Sequence, residues 1–102
     1  MTKDYVITRK NWHGIEIEIR WNPEYVIYDD KTRVAHLEVE SISPKRAPLP
    51  ITETGYRSHF TPLSEVEIYV TPEDYVEAWL DDASRSREWQ ALEQSSRQLS
   101  LF

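Results

Sequence analysis

Cysteine is absent from this 102-residue chain, glycine occurs only at Gly14 and Gly55, and no long apolar run is present. Without cysteine the chain can form neither a disulfide framework nor a thiolate site, as is usual in a reducing cytoplasm. Two isolated glycines are too few for a loop that cradles phosphate, which excludes nucleotide enzymes of that kind. Because neither a membrane span nor a signal-peptide pattern is present, we expect a cytoplasmic protein.

Basic side chains are outnumbered: the chain has 12 lysines and arginines and 18 acidic residues, which gives a formal net charge of -6. This excess of negative charge opposes non-specific binding to nucleic acid or to an anionic membrane. His13, His36 and His59 lie too far apart in the sequence for a recognisable metal-ligand spacing. We therefore expect no metal, no cofactor and no membrane contact, and we expect the partner to be a protein.

Alternating patterns predict strands in the first 41 residues. Residues 15–21 alternate between apolar and charged side chains, and residues 35–40 repeat the pattern. Residues 5–12 are rich in β-branched and aromatic side chains, and the following His13-Gly14 fits a hairpin turn. Pro23 is expected to end the second strand. Together these segments predict an antiparallel meander.

Four prolines lie within residues 42–62 and exclude a helix or a central strand through most of that segment. We expect a long proline-rich loop in which only residues 56–60 can pair as a short strand. Residues 65–70 alternate again, which predicts a last strand.

A helix is predicted to follow, because Thr71 can cap it and Pro72 suits its first position. An apolar stripe predicts that this helix packs on the sheet, with Trp79 as its main core contact. The stripe consists of Val76, Trp79, Leu80 and Ala83. A second helical piece continues the apolar side at Trp89.

The patterns together predict an α+β fold. Residues 1–94 form a single domain with an antiparallel sheet of four or five strands, the proline-rich loop, and one or two C-terminal helices packed on the sheet. Residues 95–102 lose the helical pattern and are predicted to form a flexible tail. With 39% hydrophobic and 12% aromatic residues, the chain can close one small core.

Arg57 and His59 are predicted to project together from one short strand. The pair can hold a carboxylate or phosphate, with Glu53 setting the protonation of the imidazole and Tyr56 nearby. The alternative is structural: aromatic residues anchor the loop to the sheet, and Arg57 pairs with a surface acid. A small enzyme is a third interpretation, although Ser58 beside His59 in sequence does not have the geometry of a catalytic pair.

Residues 48–60, with the sequence PLPITETGYRSHF, resemble a segment of small uncharacterised bacterial proteins that often come from plasmids or phages. That resemblance implies a mobile genetic element as the origin. It implies no activity.

The chain ends in Gln98-Leu99-Ser100-Leu101-Phe102. This pentapeptide resembles the motif by which many bacterial replication and repair proteins bind the DNA polymerase sliding clamp, usually Gln-Leu, then Ser or Asp, then Leu-Phe. All five positions match. The resemblance implies that Gln98 hydrogen-bonds at the edge of the clamp groove while Leu101 and Phe102 enter an apolar pocket. Leu99 would cover the apolar surface between them.

The energetics of such a tail favour weak to moderate binding. Burial of its three apolar side chains contributes about 5–8 kcal/mol gross, and the ordering of the tail subtracts from this. The alternative is that Leu99, Leu101 and Phe102 fold back and complete the protein's own core.

Acidic residues are spaced in pairs along the predicted strands, so that both carboxylates of a pair project from one strand face. Such a surface can imitate the charge of DNA, or it can be an ordinary solvated face. The pairs are Glu16 with Glu18, Glu38 with Glu40, and Glu65 with Glu67.

The sequence therefore predicts a non-enzymatic accessory protein that docks on the sliding clamp through Gln98 to Phe102. The alternative function is an acidic inhibitor of a nucleic-acid enzyme, encoded by a mobile element. Salt separates the two, because charge-driven binding weakens steeply with ionic strength whereas apolar docking hardly responds.

Overall fold

The computed structural model describes residues 5–99, which form a four-stranded antiparallel sheet and three helices. The strands lie side by side in chain order, so each pairs with its neighbours in sequence. The predicted α+β class is confirmed. The elements are β1 (Val6–Trp12), β2 (Ile15–Ile27), β3 (Arg33–Ser43), β4 (Tyr56–Pro62), α1 (Leu63–Glu67), α2 (Pro72–Ala83) and α3 (Arg87–Leu99).

The β1–β2 hairpin turns at His13 and Gly14, both of which have positive φ angles. In the β2–β3 pairing, Ile19 lies opposite Val39. Because side chains alternate along each strand, this register brings the apolar residues of β2 and β3 to one face of the sheet.

Pro23 does not end β2, contrary to the sequence prediction. The strand continues to Ile27, and its pairing with β3 shifts between Asn22 and Val26. This bulge leaves Pro23 without a partner on β3, so its missing N–H removes no bond of that ladder.

The core lies between one face of the sheet and helices α2 and α3. Val76 and Leu80 of α2 and Trp89 of α3 meet buried side chains of the sheet and of the β3–β4 loop. Because burial of a large apolar side chain contributes about 1.5–3 kcal/mol, this layer is the main source of stability. The sheet and loop contribute Trp12, Ile17, Ile19, Leu37, Val39, Leu49 and Ile51.

Residues 65–70 do not form the predicted last strand. Residues 63–67 form the short helix α1, and in the turn that follows, the Tyr69 N–H donates to the Val66 carbonyl at 3.0 Å. Of the three alternating apolar residues only Val66 is buried, whereas Ile68 and Val70 are exposed. The prediction was wrong because a short period-two pattern does not require a partner strand.

Helix α2 begins as predicted, since the Thr71 hydroxyl accepts a hydrogen bond from the Asp74 N–H at 3.1 Å. The predicted stripe packs on the sheet, but Trp79 is not its main core contact. Val76 and Leu80 are fully buried, whereas Trp79 is only partly buried against the core.

The loop between β3 and β4 covers residues 44–55 and packs on the core. Leu49 and Ile51 are buried, and Leu49 exchanges two backbone hydrogen bonds with Thr52. Gly55 has a φ angle of 78°, and its carbonyl accepts a hydrogen bond from the Ser41 N–H at 2.8 Å. Aliphatic side chains therefore anchor the loop, whereas the sequence pointed to aromatic ones.

Helix α3 packs through Trp89, whose ring centroid lies 5.8 Å from that of Trp12. Its backbone remains helical to Leu99, inside the segment 95–102 for which a tail is predicted. The flexible tail stays a prediction. Within residues 5–99 no helix is long and apolar enough to cross a membrane.

Candidate functional site

Polar and aromatic side chains line the face of the sheet opposite the helices. Glu38 of β3 lies between Arg20 of β2 and Ser58 of β4, and His36 lies opposite Phe60. These positions alternate with the buried ones, so their side chains leave the core on the same side. We call the surface around these five residues the open face.

Arg20 is the centre of an ion network on the open face. Its guanidinium contacts Glu18 at 2.5 Å, Glu38 at 3.0 Å and Glu40 at 3.0 Å. Burial acts to lower the pKa of Arg20, but the hydrogen bonds to three carboxylates outweigh it and raise the pKa. The network therefore carries a fixed charge and ties β2 to β3.

The Tyr56 hydroxyl donates to Glu38 Oε2 at 2.5 Å. This bond, together with burial, raises the pKa of Tyr56. Burial acts to raise the pKa of Glu38 as well, but the hydrogen bonds from Tyr56 and Arg20 outweigh it and lower the pKa. Glu38 is thus held as a carboxylate that joins β2, β3 and β4.

Hydrogen-bonding groups follow one another across the open face. Because a carboxylate only accepts, the single proton of Tyr56 is donated to Glu38. His36 Nε2 lies 2.7 Å from the Ser58 oxygen, and His36 Nδ1 lies 2.6 Å from the Tyr5 hydroxyl oxygen. His36 therefore connects Tyr5 to β4.

Aromatic rings surround His36, which is 8% exposed. Phe60 stacks on the imidazole at 4.3 Å, and Tyr25 lies at 5.2 Å, between centroids. Burial lowers the pKa of His36, and the nearby charge of Glu38 offsets this in part. Phe60 and Tyr25 remain exposed, so the open face presents an aromatic patch to solvent.

The residues of the predicted anion site lie in different places. Arg57 and His59 face α2, where the guanidinium carbon lies 5.5 Å from the Trp79 ring centroid and the imidazole centroid lies at 4.4 Å. Tyr56 lies on the opposite face of the sheet, as its place in the alternation predicts. Glu53 is exposed in the β3–β4 loop.

Arg57 and His59 already have partners inside the molecule. Arg57 donates to the Ile51 carbonyl at 3.0 Å, and His59 Nε2 lies 3.2 Å from the Tyr75 hydroxyl. Burial and the positive charge of Arg57 lower the pKa of His59. These contacts favour an anchoring role, with a backbone carbonyl instead of a surface acid as the partner of Arg57.

Several of the paired acidic residues have basic partners. Arg9 contacts Glu16 and Glu18, each at 3.4 Å, beside the Arg20 network. Glu65 and Glu67 belong to α1, so the prediction that they project from one strand face is wrong. In the part of the chain that the structure describes, no three acidic or histidine side chains converge as metal ligands would.

The predicted clamp-binding motif lies at the end of α3. Gln98 and Leu99 are the last residues of its helical backbone. Ser100, Leu101 and Phe102 lie outside the described residues.

Comparison with known proteins identifies a family for the folded domain. Residues 5–89 match the family described as KlcB third domain. The chain belongs to the KlcB third domain family. KlcB is plasmid-associated, which agrees with the predicted mobile-element origin. No curated protein and no solved structure matches the chain. The match to the KlcB third domain spans β1 to α2 and the start of α3, so it includes the open face and excludes the C-terminal motif.

His36 connects much of the open face of this KlcB third domain, yet it was not among the predicted site residues. It contacts Tyr5 and Ser58, which are 31 and 22 residues away in sequence. The available signal was a histidine in the polar half of an alternating strand, opposite a segment rich in aromatic and hydroxyl side chains.

Proposed function

We propose that this protein is a non-enzymatic accessory protein that docks on the bacterial DNA polymerase sliding clamp through Gln98 to Phe102. The observation that carries the proposal is the match of all five residues to the clamp-binding pattern. The KlcB third domain then acts as the effector that docking brings to sites of replication or repair.

The exposure of α3 after Trp89 supports display of the motif. Trp89 is the last buried residue among residues 5–95, and the family match also ends there. The helix is mostly exposed between positions 90 and 95. The exposed side chains are Gln90, Ala91, Leu92, Gln94 and Ser95.

The contacts on the open face support a structural role for its polar side chains. His36 of β3 lies within hydrogen-bond distance of Ser58 on β4, and Glu38 of β3 accepts from Tyr56 on β4. These bonds hold strands β3 and β4 together.

The alternative function is an acidic inhibitor of a nucleic-acid enzyme, carried by a mobile element. The net charge of -6 and the plasmid-associated family support it. Against it, Arg20 pairs with Glu18, Glu38 and Glu40 on the open face and offsets part of their negative charge. The clamp proposal is therefore the one we favour.

Removal of Leu101 and Phe102 tests the clamp proposal. A tail that is independent of the core can be deleted at no cost, so the melting temperature should stay unchanged while binding to purified clamp is lost. Calorimetric titration and thermal unfolding are measured on the same preparation. A drop of several degrees in melting temperature, with no clamp binding by the full-length protein, would make these residues structural and overturn the proposal.

Two controls sharpen the result. A synthetic peptide of about 20 residues that ends at Phe102 should bind the clamp without the domain, as a linear motif does. Its affinity should fall when Gln98 is replaced by alanine. Binding should change little with salt, whereas a steep loss would favour the acidic inhibitor.

A further inference from the structure

Apolar side chains project where α1 joins α2. Ile68 is 77% exposed, Val70 is 92% exposed, and Tyr69 between them is 39% exposed. A single exposed apolar residue is ordinary, but three consecutive ones in a turn form a patch that marks interaction surfaces. We name residues 68–70 the knob.

A groove of about 490 Å³ lies beside the knob. It is lined by the apolar side chains of Trp21, Leu63 and Val66, and also by Val70 and Pro72. Because Val70 belongs to both features, the knob and the groove are parts of one surface. The remaining lining includes charged side chains, so the groove offers an aliphatic side chain an apolar contact with a charged rim.

Charged side chains of both signs lie at the same surface. Lys31 and Glu67 line a second depression of about 310 Å³, which shares Leu63 with the groove. Arg33, by contrast, contacts Glu24 at 3.1 Å. Within residues 5–99, neither Lys31 nor Glu67 forms an ion pair in its own molecule.

A two-fold interface can use this combination of features. In such an interface the same patch of each subunit meets the other, so each contact occurs twice. The knob of one copy would then fill the groove of the second, and the second would return the contact. Lys31 of each copy would pair with Glu67 of the other.

We propose that the chain forms a symmetric homodimer through the knob and the groove, with Lys31–Glu67 ion pairs across the interface. A second copy is the occupant because the surface complements itself in shape and in charge. The patch is small, so the association is weak, with a dissociation constant in about the micromolar range. This interface uses no residue of the clamp-binding motif.

Sedimentation equilibrium over a range of concentrations tests the dimer. The wild-type chain should shift towards twice its monomer mass as concentration rises. Ile68→Glu places a charge in the knob and should weaken association about tenfold or more. The matched control is Ile7→Glu on β1, where the isoleucine is 58% exposed and lies outside the knob and the groove. It should leave association unchanged.

Charge reversal tests the ion pairs. Lys31→Glu and Glu67→Lys should each weaken association, because each places like charges opposite one another. The double variant exchanges the two charges and should regain most of the lost affinity. Additive losses in the double variant would show that these residues do not meet.

Other outcomes overturn the proposal. If the wild-type chain stays monomeric at every concentration, the dimer proposal is wrong. If the chain dimerises only after residues 100–102 are deleted, the groove is occupied by the chain's own tail. Equal weakening by Ile7→Glu and Ile68→Glu places the interface elsewhere. None of these results affects clamp binding by the peptide, so the two proposals fail separately.

Discussion

His36 is almost fully buried on the open face, and hydrogen bonds engage both of its ring nitrogens. Burial disfavours the charged imidazolium and lowers the pKa of His36. On the opposite face, burial and the charge of Arg57 lower the pKa of His59. Both histidines therefore bind fewer protons in the folded protein than in the unfolded chain.

Stability should decrease as the pH falls below about 6.5, the ordinary pKa of histidine. In that range the unfolded chain takes up more protons, so the free energy of unfolding decreases until the lowered pKa values of the folded state are passed. Urea unfolding at a series of pH values measures this slope. His36→Gln should reduce it, and the double variant with His59→Gln should remove most of it.

An unchanged slope in the double variant would contradict the assignment of the pH dependence to His36 and His59.

The His36 contacts could not be predicted because they depend on the register between strands. The sequence predicted the alternation in β3 and β4, and that alternation places Tyr56 on the face opposite Arg57 and His59. Which residue of β3 lies opposite Ser58 depends on how residues 44–55 cross between the strands. No local pattern in the sequence predicts this register between β3 and β4.

At the scale of elements, the sequence predicted well the strands that have one buried face and one solvent-exposed face. Residues 15–21 and 35–40 alternate because they lie in such strands. Residues 65–70 alternate too, but only Val66 contacts the core, and it does so from a helix. At Pro23 the sequence predicted the end of a strand, but β2 continues. A β-bulge accommodates the proline, which the local pattern does not reveal.

Gly55 sets the point where the β3–β4 loop rejoins the sheet. Its φ angle is 78°, and a Cβ atom there would lie 2.6 Å from the carbonyl carbon of Arg46. The backbone cannot shift freely, because the Gly55 carbonyl accepts the Ser41 N–H. Gly55→Ala should therefore lower the free energy of unfolding by about 2–4 kcal/mol, measured by chemical denaturation.

Gly14 supplies the matched comparison. Its φ angle is 85°, but a Cβ atom there would meet nothing within 4 Å. Gly14→Ala then costs only the left-handed backbone strain, about 1–2 kcal/mol. Equal losses at the two positions would show that the contact with Arg46 does not limit the loop.

At the scale of the whole molecule, the sheet divides the chain into a covered face and an open face. The fold class was predictable because strand alternation and helical stripes are local signals. The net charge was predictable from composition, but its distribution was not. Arg20 lies opposite Glu38, and only the assembled sheet shows that this arginine offsets part of the charge of the acidic row.

The contact between Trp12 and Trp89 has a spectroscopic consequence. The two indoles lie 5.8 Å apart between centroids and are inclined at 51°. Electronic transitions of rings so placed couple, which gives a two-signed band in circular dichroism. The band should persist when Leu101 and Phe102 are removed and in Trp79→Phe, and it should vanish in Trp89→Phe. This circular-dichroism band would then report only the packing of α3 on β1. It would distinguish the loss of that contact from unfolding of the whole domain.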